Sequence, residues 1–342
     1  MSTALRATLE KLLSRQDLTE DEAAALLTSL TDATLAPSLA SALLIALRAK
    51  GETAEELRGF ARAMRALALQ PQLPPGSPTV DVVGTGGDAS GSLNISTGAA
   101  LLAAACGLRV VKHGNRSISS KSGSADTLEA LGLKLPLDEE QAGACLGATG
   151  FTFLFAPHYH PATRAIAQVR AALGVRTVFN LLGPLSNPAA PPFGLVGAFN
   201  LLAAELMADA FSGMPIERVM VIHGEPGWDE ATPAGPFHVF DVRPGRVARS
   251  LRDASLYGID ACGTQDLAGG DARYNAARLR DVLEGRERGA HRDAIVLETA
   301  LVLELTGKES EPRAAAAAAG RAIDDGRAAQ LLAGLVRFNA GR

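Results

Sequence analysis

The order of apolar and polar residues predicts helices throughout residues 1–72. Thr19 with Glu22, and Thr53 with Glu56, fit the capping box, in which a threonine and a glutamate three residues later satisfy backbone amides at the start of a helix. The apolar stretch SLASALLIALRAKG ends at Gly51, and glycine is a typical helix stop. Prolines at 71, 74 and 75 then interrupt the pattern. The sequence therefore predicts a small helical domain followed by a linker.

After the linker, short apolar runs alternate with helical segments. The runs TVDVV, LRVVKHG, FTFLFA and RVMVIHG have the composition of strands. Such alternation predicts an α/β fold with a mostly parallel central sheet flanked by helices. The pattern turns helical again at about 161–188. We therefore predict a helical domain of residues 1–72, completed by the helices at about 161–188, and an α/β domain of residues 78–158 and 189–342.

The composition excludes several classes of protein. The 342 residues are 47% hydrophobic and 20% charged, which is typical of a globular protein and not of a disordered one. A formal net charge of -4 gives no basic surface for nucleic acid. Three scattered cysteines form neither a disulfide framework nor a metal spacing, which favours a reducing cytoplasm. The N-terminus lacks the order of a signal peptide, and the apolar stretch AALLAAACGLRVV is too short to span a membrane.

The stretch DVVGTGGDASGSLNIST, residues 81–97, follows the first predicted strand and combines four glycines with hydroxyls. Ligands of parallel sheets bind beyond the carboxyl ends of the strands, where this loop falls. It is not a dinucleotide loop, because no acidic residue lies between Asp88 and Asp126, and it is not a Walker loop. Glycine amides with Ser92, Asn94, Ser96 and Thr97 provide donors for phosphate, and Thr97 is predicted to start a helix whose N-terminus favours anions.

Two further loops suit a phosphorylated substrate. The stretch KHGNRSISSKSGSAD, residues 112–126, holds three cations, Lys112, Arg116 and Lys121, among five serines. The Gly/Pro-rich stretch HGEPGWDEATPAGP holds the adjacent acids Asp229 and Glu230 after a strand. Carboxylates beside a polyphosphate are the usual protein ligands of Mg²⁺. The sequence therefore predicts a ligand with phosphate at two ends and a magnesium site.

Taken together, the motifs resemble those of the anthranilate phosphoribosyltransferase family of tryptophan biosynthesis. The similar stretches, in chain order, are GTGGD (84–88), NIST (94–97), KHGNRSISSKSGSAD (112–126), FAPHYHPA (155–162), VRAALGVRTVFNLLGPLSNPA (169–189), DE (229–230) and GGDARYNAARLRDVLEG (269–285). They cover nearly the whole chain. The resemblance implies transfer of a 5-phosphoribosyl group from 5-phosphoribosyl 1-diphosphate to anthranilate, and an architecture shared with pyrimidine nucleoside phosphorylases.

The resemblance also implies the roles of individual residues. Anthranilate contacts are implied for Gly84, Asn115 and Arg170, and Mg²⁺ ligands, with two ions per site, for Ser96, Asp229 and Glu230. No catalytic acid or base is implied. The positions implied to contact phosphoribosyl diphosphate are Gly84, Gly87, Asp88, Ser92, Asn94, Ile95, Ser96, Thr97, Lys112, His113, Gly114, Asn115, Arg116, Ser117, Ile118, Ser119, Ser120 and Ser124.

The family usually forms a homodimer through its helical domain, so the same is expected here, in the cytoplasm and without a nucleic-acid or membrane partner. Two alternatives stay open at the level of sequence. One is a pyrimidine nucleoside phosphorylase, which shares the architecture. The other is a non-catalytic homologue that binds nucleic acid, against which the net charge of -4 and the three intact loops argue.

Overall fold

The computed structural model describes residues 3–117, 121–225 and 227–340. Its N-terminal region consists of four helices. Both predicted capping boxes are confirmed, because the Thr19 and Thr53 side chains each accept from the backbone amide three residues on. The predicted helix stop at Gly51 is confirmed as well, with a φ of 93°. The four helices are α1 (Thr3–Leu13), α2 (Glu20–Leu30), α3 (Pro37–Lys50) and α4 (Ala54–Ala66).

A seven-stranded sheet forms the centre of the protein, in the order β3-β2-β1-β4-β5-β6-β7. The first five strands of this order pair in parallel, and the last two are antiparallel. The predicted α/β class with a mostly parallel sheet is therefore confirmed. The strands are β1 (Thr79–Gly84), β2 (Arg109–Gly114), β3 (Phe151–Phe155), β4 (Phe193–Gly197), β5 (Arg218–Gly224), β6 (Phe237–Arg243) and β7 (Arg246–Arg252).

Helices cover both faces of the sheet. They are α5 (Ile95–Ala105), α6 (Ser124–Leu131), α7 (Glu139–Thr149), α8 (Ala156–Tyr159), α9 (Arg164–Leu173), α10 (Phe179–Leu185), α11 (Leu201–Ser212), α12 (Ala272–Leu283), α13 (Ala290–Leu305), α14 (Pro312–Asp324) and α15 (Arg327–Ala340). Three short 3-10 helices lie at Pro161–Thr163, Ala254–Tyr257 and Thr264–Leu267. No helix among the described residues is both long and apolar enough to cross a membrane.

Two apolar cores lie on opposite faces of the sheet, because side chains alternate along a strand. Met220 and Ile222 of β5 join the core formed with α5 and with α12 to α15. Val219 and Val221 join the other core, which holds α11 and the N-terminal helices. In that second core α9 packs against α3 and α10 packs against α4. The segment at 161–188 therefore packs with the N-terminal helices.

The sequence does not predict strands β4, β6 and β7, and it predicts the start of α5 two residues too late. Strand β4 has the composition FGLVG, whose two glycines hide the strand signal, and the structure inserts it between β1 and β5. The antiparallel hairpin of β6 and β7 carries charged residues on an edge strand. Helix α5 begins at Ile95 with Asn94 as its N-cap, not at Thr97 as predicted. Thr97 instead is the third residue of the helix and is fully buried.

Candidate active site

The glycine loop, residues 84–92, leaves the carboxyl end of β1 and runs into α5. Positive φ angles at Gly86, Gly87 and Gly91 give the loop a path that most side chains would oppose. The loop is pinned from behind, because the Leu93 amide donates to the Leu267 carbonyl at 3.0 Å and the Gly269 amide donates to the Gly91 carbonyl at 2.8 Å. Its remaining backbone amides are therefore held at the edge of the sheet where ligands of this fold class bind.

The acid loop, residues 227–231, follows β5 and meets the glycine loop. Asp229 Oδ2 accepts from the Gly86 amide at 2.6 Å. Glu230 accepts from the Ser92 hydroxyl at 3.0 Å and from the Ser96 amide at 3.2 Å. The structure thus brings together residues that lie more than 130 positions apart in the sequence.

Burial raises the pKa values of both acids, Asp229 and Glu230. Removal from water raises the pKa of Asp229 above its ordinary value, and the nearby charge of Asp88 raises it further. The pKa of Glu230 is raised well above its ordinary value by burial and by the charges of Glu298 and Asp229. A divalent cation between these side chains would compensate their charge. The arrangement therefore suits a cation or a proton.

The donor set fits Mg²⁺, which prefers hard oxygen ligands and keeps several waters. Asp229 and Glu230 provide carboxylates, and the backbone amide of Ser96 binds Glu230, which places this residue beside the acid pair. Within the described ranges no three His, Cys, Asp or Glu side chains converge as a complete metal site. A bound Mg²⁺ would therefore need hydroxyl, water or substrate oxygens to complete its coordination.

Asp88 orders the junction of the two loops. Its Oδ1 accepts from the Ser90 amide at 3.2 Å, and its Oδ2 accepts from the Asp229 amide at 3.3 Å. The first bond closes a local turn and the second ties the glycine loop to the acid loop. Asp88 is thus positioned beside the acid pair.

Lys112 lies beneath the glycine loop rather than in solvent. Its ammonium is fully buried and donates to the Val82 carbonyl and to the Ser96 hydroxyl, the latter at 3.4 Å. Burial lowers its pKa, while the charges of Asp81 and Glu298 oppose that effect. The ammonium of Lys112 therefore lies on the sheet side of the oxygen groups that suit Mg²⁺.

The second loop, residues 112–124, is organised by Asp126. The Ser117 and Gly123 amides both donate to Asp126, at 3.1 and 2.9 Å. Arg116 forms ion pairs with Asp126 and Glu129. Asn115 accepts from the Ser124 hydroxyl through its backbone carbonyl. The predicted contact positions Ile118, Ser119 and Ser120 lie outside the described residues.

Asn94 connects the two loops to α12. Its side-chain amide donates to the Ser122 carbonyl at 3.2 Å, and its Oδ1 accepts from Thr127 at 2.6 Å and from Asn275 at 2.8 Å. Asn275 was not predicted as a site residue, although it lies within the quoted motif GGDARYNAARLRDVLEG. The hydrogen bonds of Asn94 thus fix the relative position of two loops that are distant in sequence.

Arg170 provides an unpaired cation on α9. Its guanidinium stacks 4.8 Å from the centre of the Phe179 ring, and burial lowers its pKa. No carboxylate among the described residues forms an ion pair with it. Helix α10, which carries Phe179, also contacts His113, whose Nδ1 lies 3.1 Å from the Gly183 carbonyl. Arg170 and His113 therefore flank the same helix.

A pair of histidines lies near this helix. The rings of His113 and His160 meet edge to face at 5.0 Å. Burial lowers the pKa of His113 to about 3 and that of His160 to about 4, so both rings are neutral at pH 7. Neutral imidazoles contribute no positive charge to this part of the site.

Several residues of the site were missed in the sequence. Asp81 accepts from the His113 amide at 3.2 Å and from Asn187 at 2.8 Å, and a lone acid inside an apolar strand was the available signal. The Arg176 guanidinium donates to the Gly87 carbonyl and stacks 3.8 Å from the Phe199 ring centre. Glu298 lies behind the acid loop and binds the Ala231 amide at 3.1 Å.

Both parts of the chain match models of a known protein family. Residues 6–68 match the family described as "Glycosyl transferase family, helical bundle domain", and residues 76–329 match "Glycosyl transferase family, a/b domain". The anthranilate phosphoribosyltransferase of Rubrobacter xylanophilus is 44% identical over 334 residues, which cover 98% of this chain and 96% of the relative. The chain belongs to the anthranilate phosphoribosyltransferase family.

Solved structures of this family share the fold. The enzyme of Thermus thermophilus superimposes with a TM-score of 0.91 at 40% identity, covering 97% of this chain and 99% of that one. The enzyme of Saccharomyces cerevisiae in complex with PRPP and Mg gives a TM-score of 0.90 at 25% identity, covering 100% of this chain and 99% of that one. The family resemblance expected from the motifs is therefore confirmed.

Two bulky residues border the acid loop in this member of the family. Trp228 and Phe237 are both buried in the apolar core on the α13 side of the sheet. The Phe237 ring lies 6.5 Å from the Tyr257 ring, and the Trp228 carbonyl accepts from the Gly224 amide at 2.9 Å. Both side chains therefore support the acid loop from below.

Proposed function

We propose that this chain transfers the 5-phosphoribosyl group of 5-phosphoribosyl 1-diphosphate to the amine of anthranilate. The products are N-(5-phosphoribosyl)anthranilate and diphosphate, in a step of L-tryptophan biosynthesis. The observation that carries the proposal is the acid loop held against the glycine loop at the carboxyl edge of the sheet. The close relatives are transferases of this kind, and they favour this function over a nucleoside phosphorylase or a non-catalytic homologue.

We assign Mg²⁺, with two ions per site, to Ser96, Asp229 and Glu230. Held by these residues, the metal would supply positive charge to stabilise the diphosphate leaving group. The glycine-loop amides donate to phosphate oxygens, and the buried Lys112 adds positive charge beneath them. The second loop receives the rest of the phosphoribosyl group. Backbone amides and a cation already in position lower the reorganisation needed as negative charge develops.

We assign the anthranilate carboxylate to Arg170, because a guanidinium without an acidic partner can form a bidentate pair with it. Gly84 and Asn115 complete this acceptor site. An aromatic amine is neutral at pH 7, so it attacks the ribose without prior removal of a proton by a base. Burial lowers the pKa of His113 to about 3, so this imidazole is a weak base, which agrees with attack by an amine that is already neutral.

The assembly is proposed from the same resemblance. We expect a homodimer through the helical domain, formed by residues 1–72 with about 161–188, while residues 78–158 and 189–342 form the α/β domain. Leu13 of α1 is 61% exposed, and a cavity of about 390 Å³ lies between α1 and α2, lined by Leu5 and Leu26. Light scattering at several concentrations tests the dimer. We also expect the protein to work in the cytoplasm.

Product detection tests the proposed activity. The purified protein is incubated with phosphoribosyl diphosphate, anthranilate and Mg²⁺, and each component is omitted in turn while the product mass is followed. A parallel incubation with thymidine and phosphate tests the phosphorylase alternative. Formation of a nucleobase there, with no phosphoribosylated anthranilate in the first incubation, would reject the proposal.

The acceptor assignment is tested by replacing Arg170 with Ala. We expect a KM for anthranilate raised ~10- to 100-fold with a smaller change in the KM for phosphoribosyl diphosphate, since a charge-assisted pair contributes about 1.5–3 kcal/mol. Arg164→Ala removes an exposed arginine of the same helix and serves as the control. An unchanged anthranilate KM in the Arg170 variant would remove the carboxylate assignment.

A further inference from the structure

Glu298 is a buried acid in the middle of an apolar helix. It lies in α13, between Leu297 and Thr299, and is only 2% exposed. Its Oε1 accepts from the Ala231 amide at 3.1 Å. Its Oε2 is also buried and has no hydrogen-bond partner among the described residues. A buried carboxyl group lowers the stability of the fold unless it forms an interaction that an apolar side chain cannot form.

The partner of Glu298 is the residue that directly follows the acid pair. Ala231 is fully buried, and its amide has no route to solvent. Without the Glu298 carboxyl oxygen, this amide would be buried and unpaired, at a cost of about 1–3 kcal/mol. The hydrogen bond therefore fixes the end of the acid loop to a rigid helix.

The start of the acid loop is fixed from another side. The Gly224 amide donates to the Trp228 carbonyl at 2.9 Å, and the Trp228 amide donates back to the Gly224 carbonyl at 2.8 Å. Only Asp229 and Glu230 lie between this anchor on β5 and the anchor on α13. The backbone around the acid pair is consequently held by β5, by Asp88 and by α13, and the attachment to α13 depends on the Glu298 side chain.

We propose that Glu298 is a positioning residue for the acid pair, holding the Ala231 amide so that Asp229 and Glu230 face the glycine loop. The inference rests on the metal assignment made above, but the hydrogen bond itself is present without metal. Residues that orient metal ligands without touching the ion commonly affect metal affinity 10- to 100-fold. Glu298 acts through an acceptor oxygen, so an amide in its place suffices.

Two substitutions separate this function from simple packing. Glu298→Gln keeps an acceptor oxygen for the Ala231 amide. Glu298→Met keeps the length of the side chain and removes the acceptor. Glu304→Met is the matched control, because Glu304 is a second buried acid of α13 that binds Arg252 and Tyr257 instead of the acid loop.

Hydrogen exchange of the metal-free protein gives the first measurement. We expect the peptide covering residues 227–240 to exchange faster in Glu298→Met, and at the wild-type rate in Glu298→Gln and Glu304→Met. Unchanged exchange in Glu298→Met, or equal acceleration in the Glu304 control, overturns the proposal.

Metal affinity gives the second measurement. Mn²⁺ binding in the presence of diphosphate is followed by the paramagnetic resonance signal of the free ion, and we expect it to weaken ~10-fold in Glu298→Met. Wild-type affinity in that variant, or equal loss in Glu298→Gln, overturns the proposal. Asp229→Asn in the same titration distinguishes a failure of the metal assignment, because it would then leave Mn²⁺ binding unchanged while the exchange result still stands.

Discussion

Adding a single methyl group at Gly84 should test whether the position of the Asp229 carboxylate determines activity. A Cβ at this residue would lie 2.4 Å from Asp229 Oδ2 and 3.0 Å from its Cγ. The φ of Gly84 lies outside the left-handed region, so alanine would meet no backbone strain. Gly84→Ala therefore perturbs the Asp229 carboxylate and little else.

The size of the effect follows from that distance. The carboxylate must move by about 1 Å to reach an ordinary contact of 3.4 Å. Such a shift breaks the 2.6 Å hydrogen bond from the Gly86 amide, which as a bond to a charged group contributes about 1.5–3 kcal/mol. Since 1.4 kcal/mol corresponds to tenfold, we expect a loss of ~10- to 100-fold in kcat/KM for phosphoribosyl diphosphate.

Steady-state kinetics at several Mg²⁺ concentrations checks this expectation. A displaced Asp229 raises the Mg²⁺ concentration at half-maximal rate, whereas a purely steric effect on anthranilate changes the anthranilate KM alone. Gly147→Ala on α7 is the control, because its Cβ would meet only Pro74 Cγ at 3.7 Å. A Gly84 variant with wild-type Mg²⁺ dependence and kcat/KM would refute the reasoning.

Three further perturbations test other parts of the site. Arg176→Met removes the donor to the Gly87 carbonyl, and we expect a ~10-fold higher KM for phosphoribosyl diphosphate with an unchanged anthranilate KM. Asn275→Ala removes a buried side chain that donates to the partly buried Asn94, and urea unfolding should show a free energy of unfolding lower by about 1–3 kcal/mol. Burial raises the pKa of Glu298 to about 8, so the folded protein binds a proton that the unfolded chain has lost. In EDTA, where no metal compensates the charge, the free energy of unfolding should therefore fall as the pH rises from 6.5 to 8. Glu298 contributes at most ~1.4 kcal/mol per pH unit to this fall. Thermal unfolding of Glu298→Gln should therefore show a weaker dependence of stability on pH. Below pH 6.5 the buried His113, with its pKa lowered to about 3, acts in the opposite direction.

Local signals in the sequence were sufficient for much of the fold. The capping boxes at Thr19 and Thr53 depend on residues three positions apart, so they are readable without the rest of the chain. Strands β1, β2, β3 and β5 are short apolar runs, three of them ending at glycine, and the alternation with helices implied a parallel sheet. Strand β4 escaped notice because glycine weakens the strand pattern at two of its five positions.

The sequence by itself determined the chemistry available to this protein, through the glycine loop, the second loop and the adjacent acids Asp229 and Glu230. Only the tertiary structure decided how these parts meet. It placed Asp229 against Gly86, Arg176 against Gly87, and Glu298 behind Ala231. The reason is physical: a hydrogen bond between residues distant in sequence depends on strand order and helix packing, and no local spacing encodes either of them.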